Sequence, residues 1–370
     1  YLNDRVVTVA TLLRDSGYRT MMTGKWHLGQ TPETGPNARG FDRAFSLIPG
    51  GASHFADMRP AYAPSPDIKA KYSEDGKLLE RLPDAFEYSS QFFVDRMIDY
   101  LNDTPDDKPF FAFLSFTAPH WPLQAPAEAI EKYKGRYDDG YEALLGDRLQ
   151  RAQQLNVVPD SAVVGPPPPK FRPWGELTDE EKKVEARAME IYAAMIDEVD
   201  RHTGRLLEHL RSTGKMDNTV IVFMSDNGAE GHDLDETWPA DLFPDIRRTI
   251  DASHDFSYDA MGHPGSYVLY GPSWARAGSP AFNLYKAFPT EGGTRVAAFI
   301  SYPGLQRPQT RNDLVSVLDM TPTFLELAGV DAPTGTYKGR TVETIEGHSI
   351  VPLLDGRLAT GEGIATDRVI

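Results

Sequence analysis

The chain has 370 residues, of which 40% are hydrophobic and 11% aromatic, enough for a sizeable core, so a disordered chain is excluded. At about 100–200 residues per domain, this length allows two domains or one large α/β domain. The formal net charge of −16 would repel a polyanion, so we expect no nucleic-acid partner. The absence of cysteine excludes disulfides, thiolate metal sites and a cysteine nucleophile within these residues.

The most apolar stretch, residues 109–121, is interrupted by serine, threonine, proline and histidine. A membrane span needs about 18 or more apolar residues, so we expect no membrane partner. The first residues, YLNDRVVTVATLL, contain neither an initiator methionine nor a signal-peptide pattern. We therefore expect the true N-terminus to be missing from this sequence.

Hydrophobic spacing and turn residues predict the elements of the first part of the chain. Residues 8–15 are predicted to form a helix and residues 18–23 a short strand. The glycine-, proline- and serine-rich residues 35–83 are assigned to long surface loops. A helix over 89–101 and a continuous apolar strand over 109–117 are predicted next.

The middle of the chain combines an irregular stretch with the clearest helix. Residues 135–175 contain four consecutive prolines and are interpreted as a loop insert or lid. Thr178 and Glu181 form a capping box at the start of a long helix, whose apolar residues keep a three-to-four spacing as far as Leu210. Residues 219–225 form an unbroken apolar strand, of the kind buried on both faces of a parallel sheet.

A further strand over 296–302 and a helix over 314–327 complete the pattern. Apolar strands that alternate with amphipathic helices predict an α/β fold with a mainly parallel central sheet and helices on both faces. In such folds, ligands bind beyond the carboxyl ends of the strands. The residues just after each apolar run are therefore the candidate site.

Titratable groups follow three of the predicted strands. Lys25 and His27 follow the first, and because they lie two residues apart in an extended segment, both side chains leave the same face. His120 follows the apolar strand before the insert, and Asp226 and Asn227 follow the strand after the long helix. Alone, the Lys25–His27 pair is more typical of a solvated loop and His120 of a turn, whereas Asp226-Asn227-Gly is as often only a turn as part of a site. Together they fall where this class of fold places its site.

The last pair also suggests a metal. Asp226 and Asn227 offer one charged and one neutral oxygen ligand, which suits Ca²⁺ or Mg²⁺ better than zinc. Two ligands are too few for Ca²⁺, so other carboxylates would have to come from elsewhere. The acidic residues 232–236 match no metal motif, and we interpret them as a solvated loop.

Several segments resemble the sulfatase family, in the family's order. GKWHLG at 24–29 closely resembles the family signature, APHWP at 118–122 its PHxP segment, and SDNG at 225–228 its metal-binding segment. Lys286 stands five residues before an EGG turn, as a lysine does in the family. The late segments DMTPT, GHS and LLDG, within residues 319–356, also match. The particular likeness is to bacterial arylsulfatases.

This resemblance implies an alkaline-phosphatase-like fold, incomplete here at both ends, in an enzyme that hydrolyses small-molecule sulfate esters with one Ca²⁺. Mg²⁺ is the less favoured metal. We expect residues 1–370 to form one domain, with the loop insert at about 135–175 and the start of a smaller C-terminal subdomain after about residue 326.

The resemblance assigns the metal and the sulfate to particular residues. Asp226 and Asn227 would be Ca²⁺ ligands, and Lys25 and Lys286 would hold the sulfate oxygens. These roles agree with the chemistry, because sulfuryl transfer spreads negative charge over oxygens that fixed cations stabilise.

The resemblance also assigns the proton transfers. His120 would protonate the leaving oxygen, and His27 would act on the hydroxyl of a formylglycine nucleophile; histidine, with a pKa of about 6.5, suits both roles. The family makes formylglycine from Cys or Ser in a C/S-x-P-S/T-R motif, which these residues lack. We expect that motif in a missing N-terminal segment, and without it the chain should bind but turn over little or nothing.

Two other functions stay open. A phosphonate monoester hydrolase or phosphodiesterase of the same superfamily would use a similar site, although two-metal members carry Asp-His where this chain has Asp226-Asn227. An inactive, sulfate-binding remnant would account for the absent nucleophile.

The sequence leaves undecided the alcohol of the ester, the oligomeric state, and whether the compartment is the bacterial cytoplasm or the periplasm. We expect the loops at 44–75 and 232–282 to set substrate choice, with their histidines mainly as loop residues.

Overall fold

The computed structural model describes residues 1–105, 107–301, 303 and 310–358. Its helices are α1 (Val9–Asp15), α2 (Ser89–Asn102), α3 (Ala127–Glu131), α4 (Gly140–Gln154), α5 (Asp179–Ser212), α6 (Leu234–Thr237), α7 (Pro244–Ser253), α8 (Gly271–Gly278), α9 (Glu291–Thr294), α10 (Met320–Ala328) and α11 (Val351–Leu354). Its strands are β1 (Arg19–Lys25), β2 (Arg43–Leu47), β3 (Tyr72–Glu74), β4 (Lys77–Leu78), β5 (Phe110–Ser115), β6 (Ile221–Met224), β7 (Ala298–Ser301), β8 (Thr336–Tyr337) and β9 (Arg340–Thr341).

A mixed sheet with strand order β4-β3-β2-β1-β5 forms the largest sheet of the described chain. β1 pairs in parallel with β2 on one side and with β5 on the other, so that Thr23 lies between Phe45 and Leu114. β3 and β4 continue the sheet in antiparallel fashion. The predicted α/β class and the parallel centre are confirmed, and the sheet as a whole is mixed.

Helices cover both faces of this sheet, as predicted. Successive side chains of β1 point to opposite faces, because a strand has a side-chain period of two. Met21 packs in the cluster that holds Phe93 of α2, whereas Met22 packs in the cluster that holds Ala10 of α1. α5 also packs on α2, and its first turn carries the predicted capping box of Thr178 and Glu181.

The prediction that residues 35–83 form only loops is wrong. They supply β2, β3 and β4, and four of the five residues of β2 are buried. β3 and β4 form a hairpin whose turn residues Asp75 and Gly76 have positive φ angles of 47° and 80°. These strands are short and lie among many turn residues, so local composition hides strands that are stabilised by pairing, β2 with β1, β3 with β2 and β4 with β3.

The stretch predicted to be irregular, residues 135–175, contains the 15-residue helix α4. Tyr141 and Leu145 of this helix are buried, and the Tyr141 ring meets the Trp274 ring edge-on at 5.4 Å between centroids. Glycines at both its start and its interior weaken the local helix signal. Residues 155–173 hold no helix or strand, as predicted.

The strand predicted over 219–225 exists as β6, but its expected environment is wrong. β6 pairs antiparallel with β7 in a separate two-stranded sheet. Phe223 and Phe299 stack at 5.0 Å with 38% and 58% of their surface exposed. An apolar run predicts a strand, but it does not determine the partner or how many faces are covered.

The last predicted elements are shifted slightly. β7 falls within the predicted strand 296–302, whose last residue lies outside the described residues. The predicted helix 314–327 begins later, at Met320, after a 3-10 turn over Val317–Asp319. Beyond α10 come the β8–β9 hairpin and α11, and the division into a C-terminal subdomain stays a prediction. Among the described helices, none has both the length and the apolar character needed to cross a bilayer.

Candidate active site

The first part of the site is the end of β1. Lys25 is the last residue of this strand, and His27 follows with a positive φ of 54°. Trp26 between them is buried, and its indole N–H donates to the Thr34 carbonyl over 2.9 Å. Gly24 is required by space, since a Cβ there would lie 1.8 Å from the Ser115 carbonyl oxygen. The buried tryptophan separates the half-buried Lys25 from the exposed His27. Because the backbone at His27 is not extended, the expected alternation of side chains stops at this residue, and a shared direction of the two side chains stays a prediction.

His120 lies in the turn after β5. Its Nδ1 is 2.7 Å from the Trp121 carbonyl oxygen, so Nδ1 carries a proton and donates it to that carbonyl. In the neutral ring, Nε2 is then the nitrogen with a free lone pair. The imidazole packs against the Trp121 ring at 4.6 Å between centroids. The turn therefore fixes both the orientation and the tautomer of His120.

A pair of glycines lies between the two histidines. A Cβ on Gly50 would lie 2.7 Å from Cε1 of His27, and a Cβ on Gly51 would lie 3.6 Å from Nδ1 of His120. Because consecutive Cα atoms are about 3.8 Å apart, the two imidazoles flank a single two-residue segment. The structure therefore brings these two predicted residues together.

The lysines act on both histidines. Burial, followed by the charges of Lys25 and Lys286, lowers the pKa of His120 to about 3. The same three causes lower the pKa of His27 below its ordinary value. These shifts favour the neutral form of both imidazoles.

The pKa of Lys25 is also affected by charged groups from the other predicted segments. Its pKa is lowered by burial and by the charge of Lys286, and Asp226 and Glu230 act in the opposite direction. Such interactions between charges are strong only at short range in a protein. Lys25, Lys286 and Asp226 therefore belong to one cluster, although β1 and β6 lie in different sheets.

The SDNG segment follows β6. Asp226 is exposed and Asn227 is half-buried. The Asn227 amide N–H donates to the Gly228 carbonyl over 2.9 Å, which leaves Oδ1 as its ligand atom. Gly228 packs directly on the EGG turn, because a Cβ there would lie 1.8 Å from the Gly292 carbonyl oxygen. Its N–H donates to the Gly293 carbonyl over 2.9 Å.

These two side chains fit part of a hard-cation site. A carboxylate and an amide oxygen are ligands that Ca²⁺ accepts, and Ca²⁺ takes about 6–8 oxygens in all. In the part of the chain that the structure describes, no group of three or more His, Asp or Glu side chains could hold a metal. Asp226 and Asn227 can thus supply two ligands, and a complete site needs further oxygens.

Sequence reasoning missed Glu230. Its Oε2 is 2.8 Å from Nζ of Lys286, and its Oε1 accepts from Nδ1 of His232 over 2.7 Å. Burial would raise the pKa of Glu230, but the bonds from Lys286 and His232 outweigh burial and lower it. Glu230 stands three residues after Asn227, and no spacing rule separates it from the acidic residues that follow.

Residues 232–236 only partly match the predicted solvated loop. His232 is half-buried and bonded to Glu230. Asp233 caps α6 by accepting from the Glu236 N–H over 2.7 Å. Asp235 is exposed, as expected. This segment is therefore held by hydrogen bonds to Glu230 and to the start of α6, and it is not a fully solvated loop.

Aromatic side chains line one side of the site. The Gly50 position that meets His27 also lies 2.9 Å from the Tyr62 hydroxyl, measured from a Cβ built there. The Tyr62 ring is 4.9 Å from Trp238 and 6.5 Å from Trp121. Tyr62 and Trp238 come from the two loops expected to set substrate choice. We call Tyr62, Trp121 and Trp238 the aromatic rim.

The histidines of these loops have structural surroundings. His54 is fully buried, and its Nε2–H donates to the His120 carbonyl over 3.0 Å. Its Nδ1 accepts from the Ser89 hydroxyl at 2.9 Å. His254 packs against Tyr267. His54 thus holds the backbone of the His120 turn through this hydrogen bond.

Residues 1–330 match the family model for sulfatases. The chain belongs to the sulfatase family. It is 41% identical over 347 residues to an uncharacterized sulfatase of Schizosaccharomyces pombe, covering 92% of this chain and 62% of that protein. It is 39% identical over 335 residues to the arylsulfatase of Klebsiella aerogenes, covering 89% of this chain and 69% of that protein. The chain thus spans roughly two thirds of the length of these relatives.

The fold agrees with this membership. A crystal structure of a sulfatase from Pseudoalteromonas sp. superposes with a TM-score of 0.54 at 21% identity, over 97% of this chain and 56% of that one. The expected alkaline-phosphatase-like sulfatase fold is thereby confirmed. The roles of the six predicted site residues stay predictions.

Proposed function

We propose that this chain forms the sulfate-binding and proton-transfer part of a Ca²⁺-dependent, arylsulfatase-type sulfuric ester hydrolase. The main support is the clustering of Lys286 with Lys25, His27 and His120, which follow the strand ends. Two cations and two neutral imidazoles around one point suit a small oxyanion with a leaving group to be protonated.

In this proposal, the two lysines bind the sulfate group. The chain as a whole is strongly acidic, so an anion is held only where cations are concentrated. Lys25 and Lys286 provide that concentration, since each influences the same histidines. As charge develops on the sulfate oxygens during reaction, fixed ammonium groups stabilise it without reorganising.

His120 protonates the leaving oxygen only after substrate has bound. In the free site its pKa is about 3, because burial and the two lysines disfavour the imidazolium. A bound sulfate ester places negative charge against those lysines, which offsets their effect and favours protonation at Nε2. The Trp121 carbonyl keeps Nδ1 protonated, so Nε2 is the atom that gains and delivers the proton. His27 would accept the proton of the nucleophile's hydroxyl as the sulfated intermediate breaks down.

The metal and the nucleophile are proposals of the same kind. Asp226 and Asn227 would hold Ca²⁺, which supplies a fixed positive charge next to the sulfate oxygens. The nucleophile would be a formylglycine outside these 370 residues, because they contain no C/S-x-P-S/T-R motif. Everything else in the reaction falls to the lysines and histidines described above.

The aromatic rim supports an aryl alcohol as the leaving group. Tyr62 and Trp238 are both half-buried, and the Tyr62 hydroxyl lies beside the Gly50 position that also meets His27. Trp238 extends this aromatic surface, with its ring 4.9 Å from that of Tyr62. Aromatic faces attract planar rings by offset or edge-on packing, worth about 0.5–1.5 kcal/mol beyond area burial. The name of the Klebsiella aerogenes relative agrees with this choice.

The test uses the protein expressed from the full length of its reading frame, here called the full-length protein. We expect it to hydrolyse 4-nitrophenyl sulfate faster than a phenyl phosphonate ester, and to lose activity when Ca²⁺ is chelated. Lys25→Ala and Lys286→Ala should each weaken binding of inorganic sulfate, measured by calorimetry. Lys77→Ala, at an exposed position in β4, is the matched control.

Faster hydrolysis of the phosphonate would replace this proposal with a phosphonate monoester hydrolase. Sulfate binding that is equally strong in Lys25→Ala, Lys286→Ala and the Lys77→Ala control would refute the oxyanion site itself. The reading frame is a check of its own, since a C/S-x-P-S/T-R motif upstream of Tyr1 is required for the nucleophile.

A further inference from the structure

Glu230 is a largely buried carboxylate that contacts one of the two lysines proposed to bind sulfate. Its side chain is 15% exposed and lies 2.8 Å, Oε2 to Nζ, from Lys286. The other oxygen accepts from Nδ1 of His232 at 2.7 Å and from the backbone N–H of the same residue at 3.2 Å. Both carboxylate oxygens are therefore held, and the carboxylate cannot follow the lysine if the lysine moves.

Further contacts join the loop that carries Lys286 to the loop that carries Glu230. Lys286 donates its backbone N–H to the Ala229 carbonyl over 2.9 Å, next to Glu230. Ala287 follows with a positive φ of 73°, which a residue with a Cβ adopts only when its surroundings hold it there. His232 lies parallel to the Phe288 ring at 6.3 Å between centroids. Backbone, carboxylate and ring thus join the two loops on both sides of the lysine.

A lysine in this position needs an anchor. Its ammonium sits at the end of a flexible stem with about 2 kcal/mol of rotamer entropy. It also shares the site with Lys25, a like charge that repels it. Without a partner, the Lys286 ammonium would swing towards solvent, because 29% of its side chain is already exposed.

We propose that Glu230 is a positioning residue that holds the Lys286 ammonium at the sulfate site, with His232 fixing the carboxylate. This inference rests on the proposed function, since it assumes that Lys286 binds sulfate. Glu230 itself need not touch the substrate, because its two oxygens face Lys286 and His232.

The sign of the effect separates positioning from simple electrostatics. A carboxylate repels sulfate, so if Glu230 acted only through its charge, removing it would tighten sulfate binding. If it positions Lys286, removing it loosens binding, because the ammonium is no longer held where the anion arrives. We expect Glu230→Ala in the full-length protein to weaken inorganic sulfate binding about tenfold, and Glu230→Asp to restore part of the loss.

A double-mutant cycle tests whether the effect passes through the lysine. Glu230→Ala should change sulfate affinity in the wild-type background and have no further effect in Lys286→Ala. A second readout needs no ligand: the Lys286 ammonium should give a slowly exchanging ¹⁵N NMR signal that Glu230→Ala abolishes. Glu230→Gln, which keeps the size and one acceptor, provides the same readouts if Glu230→Ala folds poorly.

The outcomes are distinguishable. Unchanged or tighter sulfate binding in Glu230→Ala and Glu230→Gln, with Lys286→Ala still weakened, overturns the positioning role and leaves the proposed function intact. Equal losses from Glu230→Ala in both backgrounds also overturn it. Sulfate binding that is insensitive to Lys25→Ala and Lys286→Ala overturns the proposed function and this inference together.

Discussion

The candidate site has a strand side and a loop side, which are held in place by different means. The strand side carries Lys25 and His120 at the ends of β1 and β5, two paired strands of the main sheet. The loop side carries Asp226 and Lys286 on loops joined by glycine packing, backbone bonds and Glu230. Strand-side positions are therefore coupled to the whole core, and loop-side positions mainly to one another.

The largest expected effect comes from a methyl group at the strand side. Gly24→Ala would put a Cβ 1.8 Å from the Ser115 carbonyl oxygen at a φ of 113°, so β1 and β5 would have to separate. We expect a loss of about 4 kcal/mol or more in the free energy of unfolding, measured with urea.

Two other glycines sharpen this prediction. Gly204→Ala, inside α5 with open space around it, should raise stability by about 1 kcal/mol. In Gly228→Ala, the new Cβ would lie 1.8 Å from the Gly292 carbonyl oxygen, so the two loops would have to separate. We expect a larger loss in the free energy of sulfate binding than in the free energy of unfolding. If Gly228→Ala unfolds the protein as much as Gly24→Ala, the difference between the two sides does not exist.

Sequence reasoning worked best where local pattern and tertiary role coincide. α1, α2, α5 and β5 were predicted because their apolar spacing is continuous and their ends carry caps or turn residues. β2 and α4 were missed because glycine and proline dominate around them, and their stability comes from β1 and from Trp274. The antiparallel pairing of β6 could not be predicted, because an apolar run does not specify its neighbour.

The site shows the same limit. Lys25, His27, His120 and Asp226 were found because parallel strands and apolar runs point to their own carboxyl ends. Lys286 needed a family resemblance, since its loop follows no predicted strand. Glu230 was missed altogether, because its role depends on a contact with Lys286 on a distant loop, and no local spacing predicts that contact.

The second prediction concerns proton transfer at the strand side. His120→Ala in the full-length protein should lower kcat for aryl sulfates by about 10²–10⁴-fold, because the leaving oxygen loses its general acid. The loss should grow as the pKa of the leaving phenol rises, since good leaving groups need no proton. It is measured over a series of substituted phenyl sulfates. A uniform loss across the series would contradict the acid role.

The third prediction uses the pKa of His54. Burial lowers this pKa to about 4, although the bond to the His120 carbonyl favours the charged ring. The unfolded chain takes up this proton below about pH 6.5, whereas the folded protein does so only near pH 4. His54 therefore makes the free energy of unfolding fall with decreasing pH between 6.5 and 4, by about 1.4 kcal/mol per unit at most.

His54→Gln should remove this component, leaving a shallower fall between pH 6.5 and 4 than in the wild type. Urea unfolding at a series of pH values measures the difference between the two proteins. His254→Gln is a suitable comparison, because burial lowers the His254 pKa as well, but away from the His120 turn. A wild-type slope that persists in His54→Gln would mean that the His54 ring takes up its proton in the folded state.

The smallest expected effect is at the aromatic rim. Trp238→Leu should raise KM for 2-naphthyl sulfate about fivefold, close to 1 kcal/mol, and leave KM for a short alkyl sulfate unchanged. Trp238→Phe keeps a ring next to Tyr62 and should lose less. Because Trp238 is half-buried and its replacement creates no backbone clash of the kind at Gly24, the melting temperature should fall far less than in Gly24→Ala. Equal losses on aryl and alkyl substrates would show that Trp238 supports the fold of the loop without contacting the leaving group.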